Sequence, residues 1–253
     1  MNASPVLELS QVSVRRAEND EVVLEDINWC VGTGEWWVLA GGHGSGKSLL
    51  LQSLAGLIPL AAGILTVFGK PFTAEGRRAS GWRPQIGLVF EAGGRLLREL
   101  SVADNIALPL GYHRNCSPTQ ALQEILPLLQ ALELERLAEA PAGRIGRAWA
   151  QRAALARALA LGPELLMLDN PLAGMDRYHV RWWRQFLPQL VAGHPVLGGR
   201  PLTLVVTTDD LRPWIAPGPQ FAVVQNRHLK ILGDQAQLEA HPVVDLGDWL
   251  QPG

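Results

Sequence analysis

The segment Gly41-Gly42-His43-Gly44-Ser45-Gly46-Lys47-Ser48 constrains this chain more than any other. It follows the apolar run Trp36-Trp37-Val38-Leu39-Ala40 and leads into Leu49-Leu50-Leu51-Gln52-Ser53-Leu54. That order predicts a strand, a glycine-rich loop and a helix. Every fixed position of G-x-x-x-x-G-K-[ST] is filled, in the strand–loop–helix context that the pattern requires. Glycines let successive backbone amides turn inward and cradle an anion. The helix that starts at the end of the loop adds unpaired amides and the positive end of its dipole. In such a loop Lys47 is expected to reach the β- and γ-phosphates of a nucleotide, and the Ser48 hydroxyl to sit on Mg²⁺. His43 reads as a solvated loop side chain, since the six histidines show no metal-ligand spacing.

The rest of the chain sets limits. A length of 253 residues suits one large or two small domains. Hydrophobic residues make up 47% and charged residues 18%, which predicts a globular protein with a sizeable core. A net charge of −2 gives no electrostatic footprint for nucleic acid, so no such partner is expected. Two cysteines, Cys30 and Cys116, suggest neither a disulfide framework nor a metal site and agree with a reducing compartment. The first residues, Met1-Asn2-Ala3-Ser4-Pro5, carry neither a basic region nor an apolar core, so no signal peptide is expected. The apolar stretch from Leu57 to Phe68 is broken by Pro59 and Gly63 and is too short to span a bilayer. A membrane role therefore requires a partner.

In chain order, Val6 to Val14 alternates in part and reads as strands with a turn, and Val22 to Val31 as a further strand region. Gly32-Thr33-Gly34-Glu35 turns into the strand before the glycine loop. Ile64 to Phe68 reads as a strand ended by Gly69-Lys70-Pro71, and Ile86 to Phe90 as a short buried strand that opens onto Glu91-Ala92-Gly93-Gly94. Ser101 is placed to cap a helix running to Leu108, with Asp104 in its first turn. Pro118 to Leu137 is helical by pattern, with Pro127 expected to kink or split it. Ala148 to Leu161, rich in Ala, Leu and Arg, is a strong helix former. His179 to Leu190 reads as a helix, Pro201 to Thr208 as a buried strand, and Phe221 to Val224 with Leu229 to Leu232 as a hairpin. The tryptophan pairs Trp36-Trp37 and Trp182-Trp183 are read as core packing or a partner surface. Alternating strands and helices indicate a parallel α/β core, with an antiparallel layer from the early strands and a helical insertion in the middle.

Leu165-Leu166-Met167-Leu168-Asp169 is an apolar strand that ends in a carboxylate, downstream of the phosphate loop. An acid in that place is the second element of a nucleotide and Mg²⁺ site. It lies at the carboxyl end of a strand, where open α/β sheets bind ligands.

Together these residues resemble the nucleotide-binding domain of the ATP-binding cassette family over essentially the whole chain. Ala150 to Ala160 looks like the helix that follows the family's signature motif, and Leu172-Ala173-Gly174-Met175-Asp176 like its D-loop. The resemblance implies a P-loop NTPase core with an antiparallel β subdomain and a helical subdomain. The expected boundaries are 5–91 and 150–235 for the β and core parts, 92–149 for the helical part and 236–253 for a tail. It also implies ATP and Mg²⁺ as ligands, with Ser48, Asp169 and Glu91 on the metal. A transmembrane permease subunit and a second nucleotide-binding subunit are the implied partners, in a homo- or heterodimer at the inner face of the cytoplasmic membrane. Residues 90–112 and 225–250 look most like the ATPase subunits of Mla-type phospholipid transporters, which work with MCE-family proteins.

Five motif positions depart from the family pattern. The signature LSGGQ falls on Ile145-Gly146-Arg147-Ala148-Trp149, where side chains replace glycines that approach a phosphate. Arg147 either obstructs that approach, meets the phosphate with its own charge, or is a solvated helix-start residue. The catalytic glutamate falls on Asn170, whose amide orients water but cannot accept its proton. The Q-loop glutamine falls on Glu91, and the switch histidine on Asp209, which is expected to repel a γ-phosphate. The aromatic that stacks on adenine falls on Val14 or Arg16. Two functions follow from the resemblance. One is the ATP-binding subunit of a transporter with impaired hydrolysis; the other is a structural or regulatory subunit that clamps with ATP and turns over little or none.

Overall fold

The computed structural model describes residues 5–72, 85–91 and 95–240. The chain begins with two long antiparallel strands, β1 (Leu7–Arg15) and β2 (Val22–Val31), and then enters β3 (Trp36–Gly41). β3 runs through the glycine loop into helix α1 (Lys47–Leu54). The expected strand near residue 64 is β4 (Ala62–Val67), joined by a turn at Phe68 and Gly69 to the two-residue β5 (Lys70–Pro71). β6 (Ile86–Val89) leads to the helical segment of α2 (Val102–Arg114), α3 (Pro118–Glu124) and α4 (Leu126–Ala131). α5 (Arg147–Leu159) then returns the chain to β7 (Leu165–Asp169). α6 (Arg177–Ala192), β8 (Thr203–Thr208), the hairpin of β9 (Gln220–Gln225) and β10 (His228–Gly233), and α7 (Gln235–Glu239) complete the described chain.

The strands form two sheets. One has the order β2-β1-β4-β5 with antiparallel pairs throughout. The other has the order β10-β9-β3-β8-β7-β6, parallel from β9 to β6. Every residue of β3, β7 and β8 is buried, which explains their unbroken apolar runs. The two-residue period of a strand divides those runs between two cores. Trp36, Val38 and Ala40 join the helices on one face; Trp37 and Leu39 join β1, β2 and α1 on the other. The same alternation sends Leu166 and Leu168 one way and Leu165 and Met167 the other. Ile106 of α2, Leu129 of α4 and Trp183 of α6 lie in the first core, so the helical segment packs onto the central sheet.

Several local expectations need correction. The stretch from Val6 to Val14 is one strand rather than two. Its apparent turn is a bulge at Gln11, which takes φ +51°, and its amide donates to the Asn28 side chain at 2.9 Å. The helix capped by Ser101 passes through Pro109 to Arg114, because Ile106 and Leu110 continue its buried face. The cap is as expected, with the Asp104 amide donating to the Ser101 hydroxyl at 3.0 Å. The pattern from Pro118 to Leu137 splits at Ile125, since Pro127 occupies the first turn of a new helix. The Asn226-Arg227 turn between β9 and β10 places both residues at positive φ, the two-residue hairpin geometry that matches strand twist. Among the described residues no helix is long and apolar enough to cross a membrane. Of the segments singled out in the sequence, residues 1–4, 92–94 and 241–253 lie outside the described ones.

Candidate functional site

The site is assembled where β3, β7 and β8 end side by side. β3 stops at Gly41, and the loop turns back so that Gly46, at φ +98°, is the residue before α1. A side chain at Gly46 would be strained by that φ and would place a Cβ 3.0 Å from Leu24 Cγ. Among the described residues no side chain caps α1, so its first amides stay directed at the cleft above the loop. That cleft has a volume of about 330 Å³. His43, exposed as expected, lines it together with Gly44, Ser45, Gly46, Lys47 and Ser48.

Lys47 is only 6% exposed. Its ammonium group donates to the carbonyl oxygens of Gly41 and, at 2.9 Å, Gly42, and to the Ser45 hydroxyl at 3.2 Å. It also pairs with the Asp209 carboxylate at 2.9 Å. Next to it, the Ser48 hydroxyl donates to Asp169 Oδ1 at 2.9 Å. Parallel pairing sets Asp169 of β7 opposite Thr207 of β8, and the Thr207 hydroxyl donates to the same oxygen at 2.8 Å. A buried carboxylate is thus held in place by two hydroxyls. Ser48 and Asp169 present hard oxygen donors beside a phosphate cradle, the donor set that Mg²⁺ takes. The loop amides and Lys47 present the complementary donors for a polyphosphate.

Glu91, Asn170 and Asp209 line this same cleft, whereas Ile145 to Trp149 are not among its lining residues. Asn170 sits at φ +44°, with its amide bonded to the Thr207 carbonyl at 3.1 Å and hydroxyl at 3.2 Å. Its side-chain amide donates to Asp209 Oδ2 at 3.0 Å. Asp209 was expected from sequence only to repel a phosphate; the geometry gives it two definite partners, Lys47 and Asn170. The neighbouring Asp210 is taken up by Arg212, at 2.8 and 2.7 Å. Burial pushes the Asp210 carboxyl up, but the Arg212 hydrogen bonds prevail and hold it below the ordinary carboxylate range. Glu91, just past β6, lines the cleft and lies 3.5 Å from Arg147. Arg147 is half-exposed, and its guanidinium packs beside the backbone of Gly174. It therefore points back across its own chain. A cation in the first turn of a helix faces an unfavourable dipole, and Glu91 offsets it.

Of the two residues at the adenine position, Val14 is fully buried in the core and Arg16 lines the cleft. Sequence reasoning missed Thr207 and Glu18, which also line or support the site. Thr207 carried a signal: a hydroxyl near the end of an apolar strand that pairs with a strand ending in Asp. Glu18 carried none.

A parallel sheet with a glycine loop feeding α1, an acid at the end of β7, an antiparallel sheet on one face and helices inserted between β6 and β7 define an ATP-binding cassette of the P-loop NTPase class. The chain belongs to the ABC transporter family, whose description matches residues 24–173. It is 32% identical over 222 residues, 87% of its length, to the sulfate/thiosulfate import ATP-binding protein CysA of Nephroselmis olivacea. It is 34% identical over 174 residues, 68% of its length, to the Nod factor export ATP-binding protein I of Rhizobium sp. (strain N33). It spans 60% and 55% of those two relatives. The dimeric ATP-binding cassette MJ0796, solved in a post-hydrolysis state bound to ADP and Pi, superposes with a TM-score of 0.76 at 25% identity, covering 88% of this chain and 96% of that one.

Proposed function

We propose that this chain is the ATP-binding subunit of an ABC transporter complex, with impaired hydrolysis and with envelope phospholipid as the cargo. The observation that carries the reading is the convergence of Lys47, the Ser48–Asp169 pair and the uncapped start of α1 on one cleft. Loop amides and Lys47 would bind the phosphates, Ser48 and Asp169 with Glu91 would hold Mg²⁺, and Arg16 would flank the base. Mg²⁺ neutralises phosphate charge and orients the terminal oxygens. The chain would pair with a second nucleotide-binding subunit, identical or different, and dock on a transmembrane permease at the cytoplasmic face of the membrane. Support for phospholipid cargo, and for an MCE-family partner, comes from the likeness of residues 90–112 and 225–250 to Mla-type subunits. The named relatives serve other cargoes, sulfate or thiosulfate import and Nod factor export.

A second reading is a subunit that binds ATP for structure or regulation and hydrolyses little. The Asn170–Asp209 hydrogen bond favours it, because an amide that donates to a neighbouring carboxylate is not placed to take a proton from water. Both readings require nucleotide binding through Lys47. Replacing Lys47 by Ala should weaken Mg-ATP binding by about 1.5–3 kcal/mol, the worth of a charged hydrogen bond. Calorimetry that gives equal affinity for the wild type and K47A would remove both.

A further inference from the structure

The Lys47 ammonium has three protons and four acceptors around it: Gly41 O, Gly42 O, Ser45 Oγ and Asp209 Oδ1. Three of these belong to the loop itself. The fourth, Asp209, comes from the end of β8 and is the one anion in the set. It does not swing freely, because its second oxygen accepts from Asn170 at 3.0 Å. Asn170 is in turn fixed by two bonds from its backbone amide to Thr207. The chain from Thr207 through Asn170 and Asp209 to Lys47 is therefore continuous, and it ends on the side chain that would otherwise pair with the outer phosphates. The rest of the cleft is different. Gly44 and Gly46 line it outside that network, and Ser48 and Asp169 keep their metal-type pairing.

We propose that Asp209 stands in for a terminal phosphate, so that the cleft takes a nucleoside diphosphate in preference to a triphosphate. A diphosphate occupies the loop and leaves the Lys47–Asp209 pair intact. A triphosphate must displace Asp209 from Lys47, break its bond to Asn170, and leave a carboxylate beside the third phosphate. Asn170 and Asp209 then act together as specificity-determining residues, which gives two departures from the family pattern one physical role.

The inference rests on the nucleotide-binding reading, and the test separates the two. Calorimetry on the full chain with Mg²⁺ measures ADP and ATP affinities for the wild type, Asp209→Asn and Asn170→Ala. The wild type should bind ADP about tenfold or more tightly than ATP, the scale of one charge-assisted bond. Asp209→Asn removes the anion and should shift the ATP-to-ADP ratio about tenfold toward ATP. Asn170→Ala frees Asp209 and should shift it the same way by less. A wild type that binds ATP as well as ADP, or a ratio that neither variant moves, overturns the inference and leaves nucleotide binding standing. Binding of neither nucleotide by the wild type overturns both.

Discussion

Lys47 and Arg152 are both buried cations, and the chain satisfies them in opposite ways. Lys47 faces an open cleft and is surrounded by oxygen acceptors. Arg152, on α5, is fully buried with a single carboxylate, Glu133, at 2.6 Å. Its guanidinium also donates to the Leu132 carbonyl at 3.5 Å and lies over three rings: Trp182 at 3.9 Å, Trp149 at 4.6 Å and Tyr178 at 5.5 Å from the ring centroids. Among the described residues two of its nitrogens have no hydrogen-bond partner, so ring faces supply what further oxygens would. Burial pushes the Glu133 carboxyl up, yet the Arg152 and Tyr178 hydrogen bonds prevail and hold it below its ordinary value. His179, whose ring meets Trp149 and Tyr178 edge-on, is pushed below its ordinary value by burial and by the Arg152 charge. This cluster ties α5 to α6. Replacing Arg152 by Ala should cost about 2–4 kcal/mol, combining a charged hydrogen bond with cation–π contacts. Chemical denaturation checks this, and a loss within about 0.5 kcal/mol, the range of an ordinary surface substitution, contradicts it. The sequence reading of the tryptophans as core or partner surface captured Trp183 but not the cage that Trp149 and Trp182 make. A cage depends on residues from two helices and the turn after α4, which no local pattern connects.

At the scale of elements, legibility followed distance along the chain. The β3–loop–α1 unit is local, and its residues declared both its shape and its ligand chemistry. The Asp169 strand was legible because a fully apolar run ending in an acid has few other uses. The Lys47–Asp209 pair was not legible, since it joins residues whose adjacency exists only once β8 lies beside β3. The bulge in β1 was misread as a turn for a related reason: it is set by the neighbouring strand. Gly63, at φ +87°, brings its backbone against Gln11, and an added Cβ would lie 2.3 Å from the Gln11 carbonyl oxygen. Gly63→Ala should therefore destabilise the protein by about 1–3 kcal/mol through backbone strain. A thermal melt of that variant matching the wild type would show that the two strands separate there at no cost.

For the whole molecule, the proposed pairing of two cassettes has a consequence for the shared sites. The family resemblance places each nucleotide between one chain's glycine loop and the other chain's signature. In the proposed reading, Asn170 and Asp209 would alter the first half of that arrangement, and Ile145 to Trp149 the second. Under the proposed pairing, a homodimer would carry both changes in both sites and a heterodimer one in each. The structure adds that Arg147 is drawn to Glu91 and Gly174 of its own chain. Restoring a single group should not restore turnover, because losses at residues that act as a unit do not add simply. The direct measurement is phosphate release by the purified wild-type chain, with Lys47→Ala and Asn170→Glu run beside it. We expect very low release from the wild type, and Asn170→Glu still short of the rate of an ordinary cassette. Vigorous hydrolysis by the wild type that Lys47→Ala abolishes would contradict this and make the chain a conventional transport motor.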